Sequence, residues 1–242
     1  MKVLIADTET TSADTETGEI IEAAWLHMPG TVVEFMTIKN PGRFEHYHQR
    51  FQPAEPIQFG AMATHNIIPE ELEGCAKSEL FELPADADYL IGHNIDFDAK
   101  MMGVFDDHDI KRICTLALSR WLFPNIDSHK QGAMIYYIGS LLKDYAWAKA
   151  LTTGAHAALD DVKMCAILLR FLIGELRRRK YDVDTWDQLH AISETARIPT
   201  VIGFGKHKGT AIEDVPSDYV RWYRGTEEKD PYLLEAFKRA GK

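Results

Sequence analysis

The sequence predicts an α/β fold, a sheet flanked by helices, with a small α+β module appended at its C-terminus. Three observations carry that expectation. Short apolar runs of strand character alternate with helical periodicity through the first 180 residues. Acidic residues cluster where two of these runs end, at Asp7-Thr8-Glu9 and at Asp96-Phe97-Asp98. After Ile198-Pro199 the composition changes: residues 198–242 hold eight Lys/Arg and seven Asp/Glu, against a net charge of −10 for all 242 residues.

Taken in order, Lys2 to Asp7 reads as a buried strand, rich in Val, Leu and Ile. A polar stretch, Thr8 to Glu19, follows. Ile20 to Met28 and Thr31 to Lys39 are apolar runs broken by Pro29-Gly30, a tight-turn signal, so three strands in a meander are expected. Asn40 to Gln52 reads as a loop, in which His46 and His48 are solvated for want of a third metal ligand. Asp88–Gly92 and Ile110–Cys114 are strand-like; Asp96–Val104, Thr115–Leu122, Gly132–Lys143 and Ala155–Arg179 are helical. The last ends in four cations, which suit a helix C-terminus. These elements form a domain over residues 1–180. Residues 181–197 read as a connector helix, and residues 198–242 as the separate module.

No apolar run approaches the roughly 20 residues that span a bilayer, so no membrane partner is expected. The N-terminus lacks the apolar length of a signal peptide. Cys75, Cys114 and Cys165 are too scattered for a zinc site or a disulfide framework, and a cytoplasmic location follows. The negative charge excludes a protein that coats nucleic acid by bulk electrostatics. It leaves open an enzyme that holds phosphate through metal ions.

Three acidic clusters carry the chemistry. Asp7 and Glu9, two apart on a strand, share a face, although Asp and Thr are also common at ordinary strand ends. His93-Asn94-Ile95-Asp96-Phe97-Asp98 follows a strand and opens a helix, where Asn94 or Asp96 can serve as N-cap. His156 and Asp161 flank the start of the long helix, where Asp160 and Asp161 can simply complement the helix dipole. Jointly, four carboxylates and a histidine from strand–helix junctions can meet at one sheet edge. The matching chemistry is two-metal phosphodiester hydrolysis, with hard oxygen ligands for Mg²⁺ and a histidine to deprotonate water.

In order and spacing, Asp7-x-Glu9, His93-Asn94-x-x-Phe97-Asp98 and His156-x-x-x-x-Asp161 resemble the three motifs of the DEDDh 3′→5′ exonucleases. That family has a ribonuclease H-like mixed sheet and includes the proofreading subunit of bacterial DNA polymerase III. Ala61 to Ile67, Ile113-Cys114-Thr115, Trp121 to Pro124 and Phe204 to Gly209 extend the likeness along nearly the whole chain. The resemblance implies two Mg²⁺ ions, replaceable by Mn²⁺, held by Asp7, Glu9, Asp98 and Asp161, with Asp7 bridging. Asp160 is the alternative to Asp161.

The resemblance further implies His156 as general base. Thr8, Thr10, Thr11, His65 and Asn94 would lie against the 3′-terminal nucleotide. The expected substrate is DNA with single-stranded or frayed 3′ ends, releasing nucleoside 5′-monophosphates in repair or proofreading. Short RNA is the alternative substrate, and a non-catalytic DNA-end-binding module the alternative class. The likeness fails at Ser12 to Glu19. Relatives in one branch carry a short loop there with a bulky residue that wedges into duplex ends; this chain has a longer acidic loop with Ala13 and Asp14.

Two features remain open. Gly203 to Thr210 lacks phosphate-loop spacing and reads as a tight hairpin. Phe204, Tyr219, Trp222 and Tyr223 can stack bases beside cations, or pack a small core.

Overall fold

The computed structural model describes residues 1–242 apart from 39, 41–43, 107–108, 155 and 227–228. Its centre is a mixed sheet of β1 (Lys2–Thr10), β2 (Ile20–Met28), β3 (His46–Gln52), β4 (Ala76–Lys77), β5 (Ala87–Gly92) and β6 (Lys111–Cys114). The order is β4-β3-β2-β1-β5-β6, antiparallel across β1–β2 and β2–β3 and parallel across β1–β5 and β5–β6. Val3 to Ala6 are all buried. A strand covered on both faces needs such a continuous apolar run, which is why β1 sits inside the sheet.

The meander exists, but its third strand is not the expected one. Thr31 to Lys39 contains a helix, α1 (Val32–Thr37), and Lys39 lies outside the described residues. The Thr31 hydroxyl accepts from the Glu34 N–H while the Glu34 carboxylate accepts from the Thr31 N–H, a capping box that starts a helix despite the β-branched residues. Val32 and Phe35, three apart, are its buried face. The third strand is β3, inside the segment expected to be a loop, of which 41–43 lie outside the described residues. Its pattern is masked because only Phe51 is buried. Tyr47 nevertheless stacks on Trp25 of β2, with ring centroids 3.8 Å apart.

Around the sheet lie α2 (Phe59–His65), α3 (Ile95–Met101), α4 (Thr115–Leu122), α5 (Gln131–Leu142), α6 (Tyr145–Thr152) and α7 (Ala158–Arg178). The sequence reading missed α6, which Asp144 caps through the Trp147 N–H at 2.9 Å. The expected start of α7, Ala155, lies outside the described residues.

The connector begins later than expected, as α8 (Trp186–Arg197), and it belongs to the main core. Trp186 is fully buried and donates to the Pro29 carbonyl at 2.9 Å. The Ser193 hydroxyl accepts the Cys114 N–H at 2.9 Å, closing the outer edge of β6. A second apolar cluster gathers Ile202, Val215, Tyr219, Tyr223 and Phe237 around α9 (Ser217–Arg224) and α10 (Pro231–Arg239). Its β content is a single bridge, Val201 to Ala211, among the described residues. Between them the chain reverses through Gly209, whose φ of +86° suits only glycine.

Candidate active site

β1 outruns its parallel neighbour. Its pairing with β5 ends at Ile5–Ile91, whereas its pairing with β2 continues to Thr10. The backbone edge left open at Thr8 is filled by a side chain from α3. The Thr8 N–H and hydroxyl both donate to one oxygen of Asp98, at 2.9 and 2.8 Å. Gly92 allows this approach, since a Cβ there would stand 3.0 Å from the Ala6 carbonyl and 2.8 Å from the Ile95 side chain. Asn94 then turns the chain with φ of +78°, a conformation Asn tolerates, and makes no side-chain cap. Asp96, the other cap candidate, instead pairs with Arg112 and Arg197.

His93 latches this turn to the neighbouring elements, with Nε2 2.8 Å from the His129 carbonyl and Nδ1 3.0 Å from the Thr115 hydroxyl. Burial pushes its pKa down to about 4.

Asp7 and Glu9 share a face of β1, and the start of α7 meets them there. Ligand atoms of Glu9, His156 and Asp161 lie within 4.8 Å of one another. His156 takes φ of +70° just before α7. Its N–H donates to Asp161 at 2.9 Å, and the Gln131 amide donates to the same carboxylate at 3.0 Å. Asp160 turns away to Lys163, 2.9 Å distant. Asp161, and not Asp160, is therefore the residue that lies beside Glu9 and His156.

The four carboxylates strain one another. Burial, followed by the charges of Asp98, Asp161, Glu9 and Glu22, holds Asp7 well above the usual carboxylate range. Burial and the charges of Asp161, Glu22 and Asp98 raise Glu9 to about 9. Asp98 is raised to about 7 by burial, against the Thr8 hydrogen bonds. Asp161 is raised to about 6, again by burial, against its bonds from His156 and Gln131. Carboxylates packed this way call for a cation.

The threonine hydroxyls expected at the nucleotide serve the protein itself. Thr8 is bound to Asp98, Thr10 donates to the Ser12 carbonyl at 2.7 Å, and Thr11 accepts the Glu19 N–H at 2.9 Å. All three are buried, whereas Asn94 is exposed. His65, buried on α2, accepts the Ile67 N–H at Nδ1, and burial lowers its pKa, so Nε2 carries the proton. Nε2 is buried without a well-formed hydrogen bond among the described residues, although the Thr10 backbone nearby favours its proton.

The loop after Thr11 is a compact turn. Asp14 accepts from the Glu16 N–H and the Thr17 hydroxyl, both at 2.9 Å, and no bulky residue projects from residues 13–16.

Sequence reasoning missed Glu22. Buried on β2 opposite Glu9, it accepts from Arg50 Nε at 2.8 Å and from the Ala158 N–H at the head of α7 at 2.8 Å, and His48 Nε2 lies 3.1 Å away. Burial alone would raise its pKa; these bonds reverse the sign and keep it low. The signal was available, because a lone acid in the apolar run of β2 must have a partner. His48 stands two residues before Arg50 on β3, so the segment read as a loop is a strand, while His46 and His48 are exposed. Phe59, also missed, is 87% exposed, and the preceding Gln58 N–H binds the Thr11 carbonyl at 2.9 Å.

A family model described as RNase_T, exonuclease, matches residues 4–169. The DNA polymerase III subunit epsilon of Aquifex aeolicus (strain VF5) is 22% identical over 183 residues, spanning 72% of this chain and 81% of that one. Exonuclease X in complex with 5′ overhanging duplex DNA shares the fold with a TM-score of 0.52 at 21% identity, over 79% of this chain and 99% of that one. The zinc-bound E. coli exonuclease I complex with single-stranded DNA gives 0.53 at 17% identity, over 81% of this chain and 43% of that one.

Proposed function

Because the chain belongs to the RNase_T exonuclease family and is a 3′→5′ exonuclease, we propose that it removes nucleoside 5′-monophosphates from single-stranded or frayed 3′ ends of DNA, in repair or proofreading. The observation that carries this reading is the convergence of Asp7, Glu9, Asp98 and Asp161 on one side of β1 with their pKa values raised.

The donor set fits divalent cations: all four ligands are hard carboxylate oxygens, and among the causes of their raised pKa values no lysine or arginine appears. Asp7, Glu9, Asp98 and Asp161 would hold two Mg²⁺ ions, or Mn²⁺ in their place. When bound, these ions supply Lewis-acid activation of water and stabilisation of the leaving oxygen. Asp7, which feels the other three charges, would be the shared ligand.

His156, exposed at the mouth of the site, receives the proton of the attacking water. Its backbone bond to Asp161 keeps base and ligand in register. Asn94 and the backbone where β1 ends, from Thr8 to Thr11, would form the rim for the 3′-terminal nucleotide, with the buried His65 behind it, and Phe59 offers a flat face for its base. The compact loop without a projecting bulky residue favours ends that are already open over blunt duplex.

Purified protein with Mg²⁺, given 3′-labelled single-stranded, blunt, recessed and RNA substrates, tests this. Mononucleotide release from single-stranded DNA is expected, lost in Asp7→Ala. Intact single strands, or an Asp7→Ala variant as fast as the parent, would refute it.

A further inference from the structure

The aromatic residues of the C-terminal cluster divide into two sets. Tyr219 and Tyr223 are buried with Phe237, whereas Trp222 is 58% and Phe204 46% exposed. Both exposed rings face a cleft of about 1090 Å³ between this cluster and the main core. The opposite wall is α3 and its surroundings, through Asp96, Lys100, Phe105 and Arg112, and residues 13–16 close one end.

The cleft is a built feature. The Tyr232 hydroxyl donates to Glu194 at 2.9 Å, and the Arg197 guanidinium lies over the Tyr232 ring at 5.3 Å while it pairs with Asp96. Asp96 and Lys100, one turn apart, share a face of α3. The same helix turns Asp98 towards Thr8, so one short helix carries a catalytic-cluster ligand and a wall of the cleft.

Its charges decide what it can hold. Asp96 is neutralised by two arginines, Asp14 is bound within its own loop, and Asp230 caps α10 through the Tyr232 N–H. Lys100, whose ammonium lies 5.0 Å over the Phe105 ring, and Lys229 enter no ion pair among the described residues and are exposed, with Glu16 the exposed acid at the closed end. Exposed aromatic faces beside ammonium groups that enter no ion pair match alternating bases and phosphates. The volume exceeds that of a single nucleotide.

We propose that this cleft binds the single-stranded nucleic acid on the 5′ side of the end being hydrolysed, by stacking bases on Trp222 and Phe204 with Lys100 and Lys229 beside the phosphates. The identity of the strand rests on the exonuclease reading; the stacking site does not.

The test uses the full chain in EDTA, with 5′-labelled oligothymidylates of about 4 and about 20 nucleotides followed by fluorescence anisotropy. The parent should bind the longer strand at least about tenfold more tightly. Trp222→Ala and Lys229→Glu, both at exposed positions, should each lose most of that preference. With Mg²⁺, their kcat on a p-nitrophenyl ester of thymidine 5′-monophosphate, too small to reach the cleft, should match the parent's. Equal affinity of Trp222→Ala and parent for the longer strand overturns the proposal. Should the parent leave the ester intact while length preference still depends on Trp222, the exonuclease reading falls and the cleft stands.

Discussion

Thr8 holds Asp98 twice, through its backbone N–H at 2.9 Å and its hydroxyl at 2.8 Å, both on one carboxylate oxygen. The second oxygen is thereby left for a ligand. Thr8→Val keeps shape and the backbone bond but removes one of the two fixing bonds. Asp98 should then wander, and kcat on single-stranded DNA should fall about tenfold with little change in KM. Circular dichroism should show the fold intact. An unchanged kcat would show that the backbone bond alone aims Asp98.

Metal removal should give a pH-dependent stability of defined sign. Unfolded carboxylates titrate near 4, whereas Glu9 is raised to about 9, Asp98 to about 7 and Asp161 to about 6. Between those limits the folded chain holds more protons than the unfolded one, so metal-free stability falls as pH rises through the window. Thermal unfolding in EDTA should therefore give a lower Tm near pH 8.5 than near pH 5.5, and Mg²⁺ should raise Tm more at the higher pH. Glu9→Gln should flatten the EDTA profile above about pH 7. A flat EDTA profile in the parent would contradict the assignment.

Glu22 and Arg50 should not be equivalent. Glu22 is 1% exposed and holds the head of α7, whereas Arg50 is 33% exposed and also reaches Glu71. Glu22→Gln leaves Arg50 free to turn to water, yet strips the Ala158 N–H of its charged acceptor beside His156 and Asp161. We expect a loss of about 2 kcal/mol in denaturant unfolding and a higher Mg²⁺ requirement for hydrolysis. Arg50→Gln leaves the buried Glu22 charge with only the Ala158 N–H and His48, so its loss should be larger.

The strands and helices legible in the sequence were those with one dominant signal: the apolar run of β1, the period of α7, and Thr115–Leu122 with Pro124 behind it. Thr31 to Lys39 misled because β-branched residues outweighed a capping box that needed only Thr31 and Glu34. β3 stayed hidden because its His48 and Arg50, which mark a loop by composition, are there to meet the buried Glu22. The acidic clusters could be read because carboxylates recur at strand ends with the spacing one face requires. Their supports could not: Gln131 reaches Asp161 across thirty positions, and the inward-turned threonine hydroxyls depend on where β5 stops.

His93 should act as a pH-dependent weight on stability that Gln can relieve. Its ring is held between the His129 carbonyl and the Thr115 hydroxyl, and burial lowers its pKa to about 4. An unfolded histidine titrates near 6.5, so below that pH the unfolded chain takes up a proton that the folded chain refuses. Stability from the neutral ring is complete above about pH 7 and drains away as pH falls towards 4, by about 1 kcal/mol at pH 5.5. Gln at this position can still donate to the His129 carbonyl and accept from Thr115, but it does not titrate. Denaturant unfolding of His93→Gln and parent should therefore show the variant gaining about 1 kcal/mol relative to the parent between pH 8 and 5.5, whatever the offset at pH 8. Parallel profiles would mean that the ring is already protonated in the fold, with both nitrogens donating. In that case the Thr115 hydroxyl, 3.1 Å from the Gly92 carbonyl, is turned to Gly92 rather than to His93.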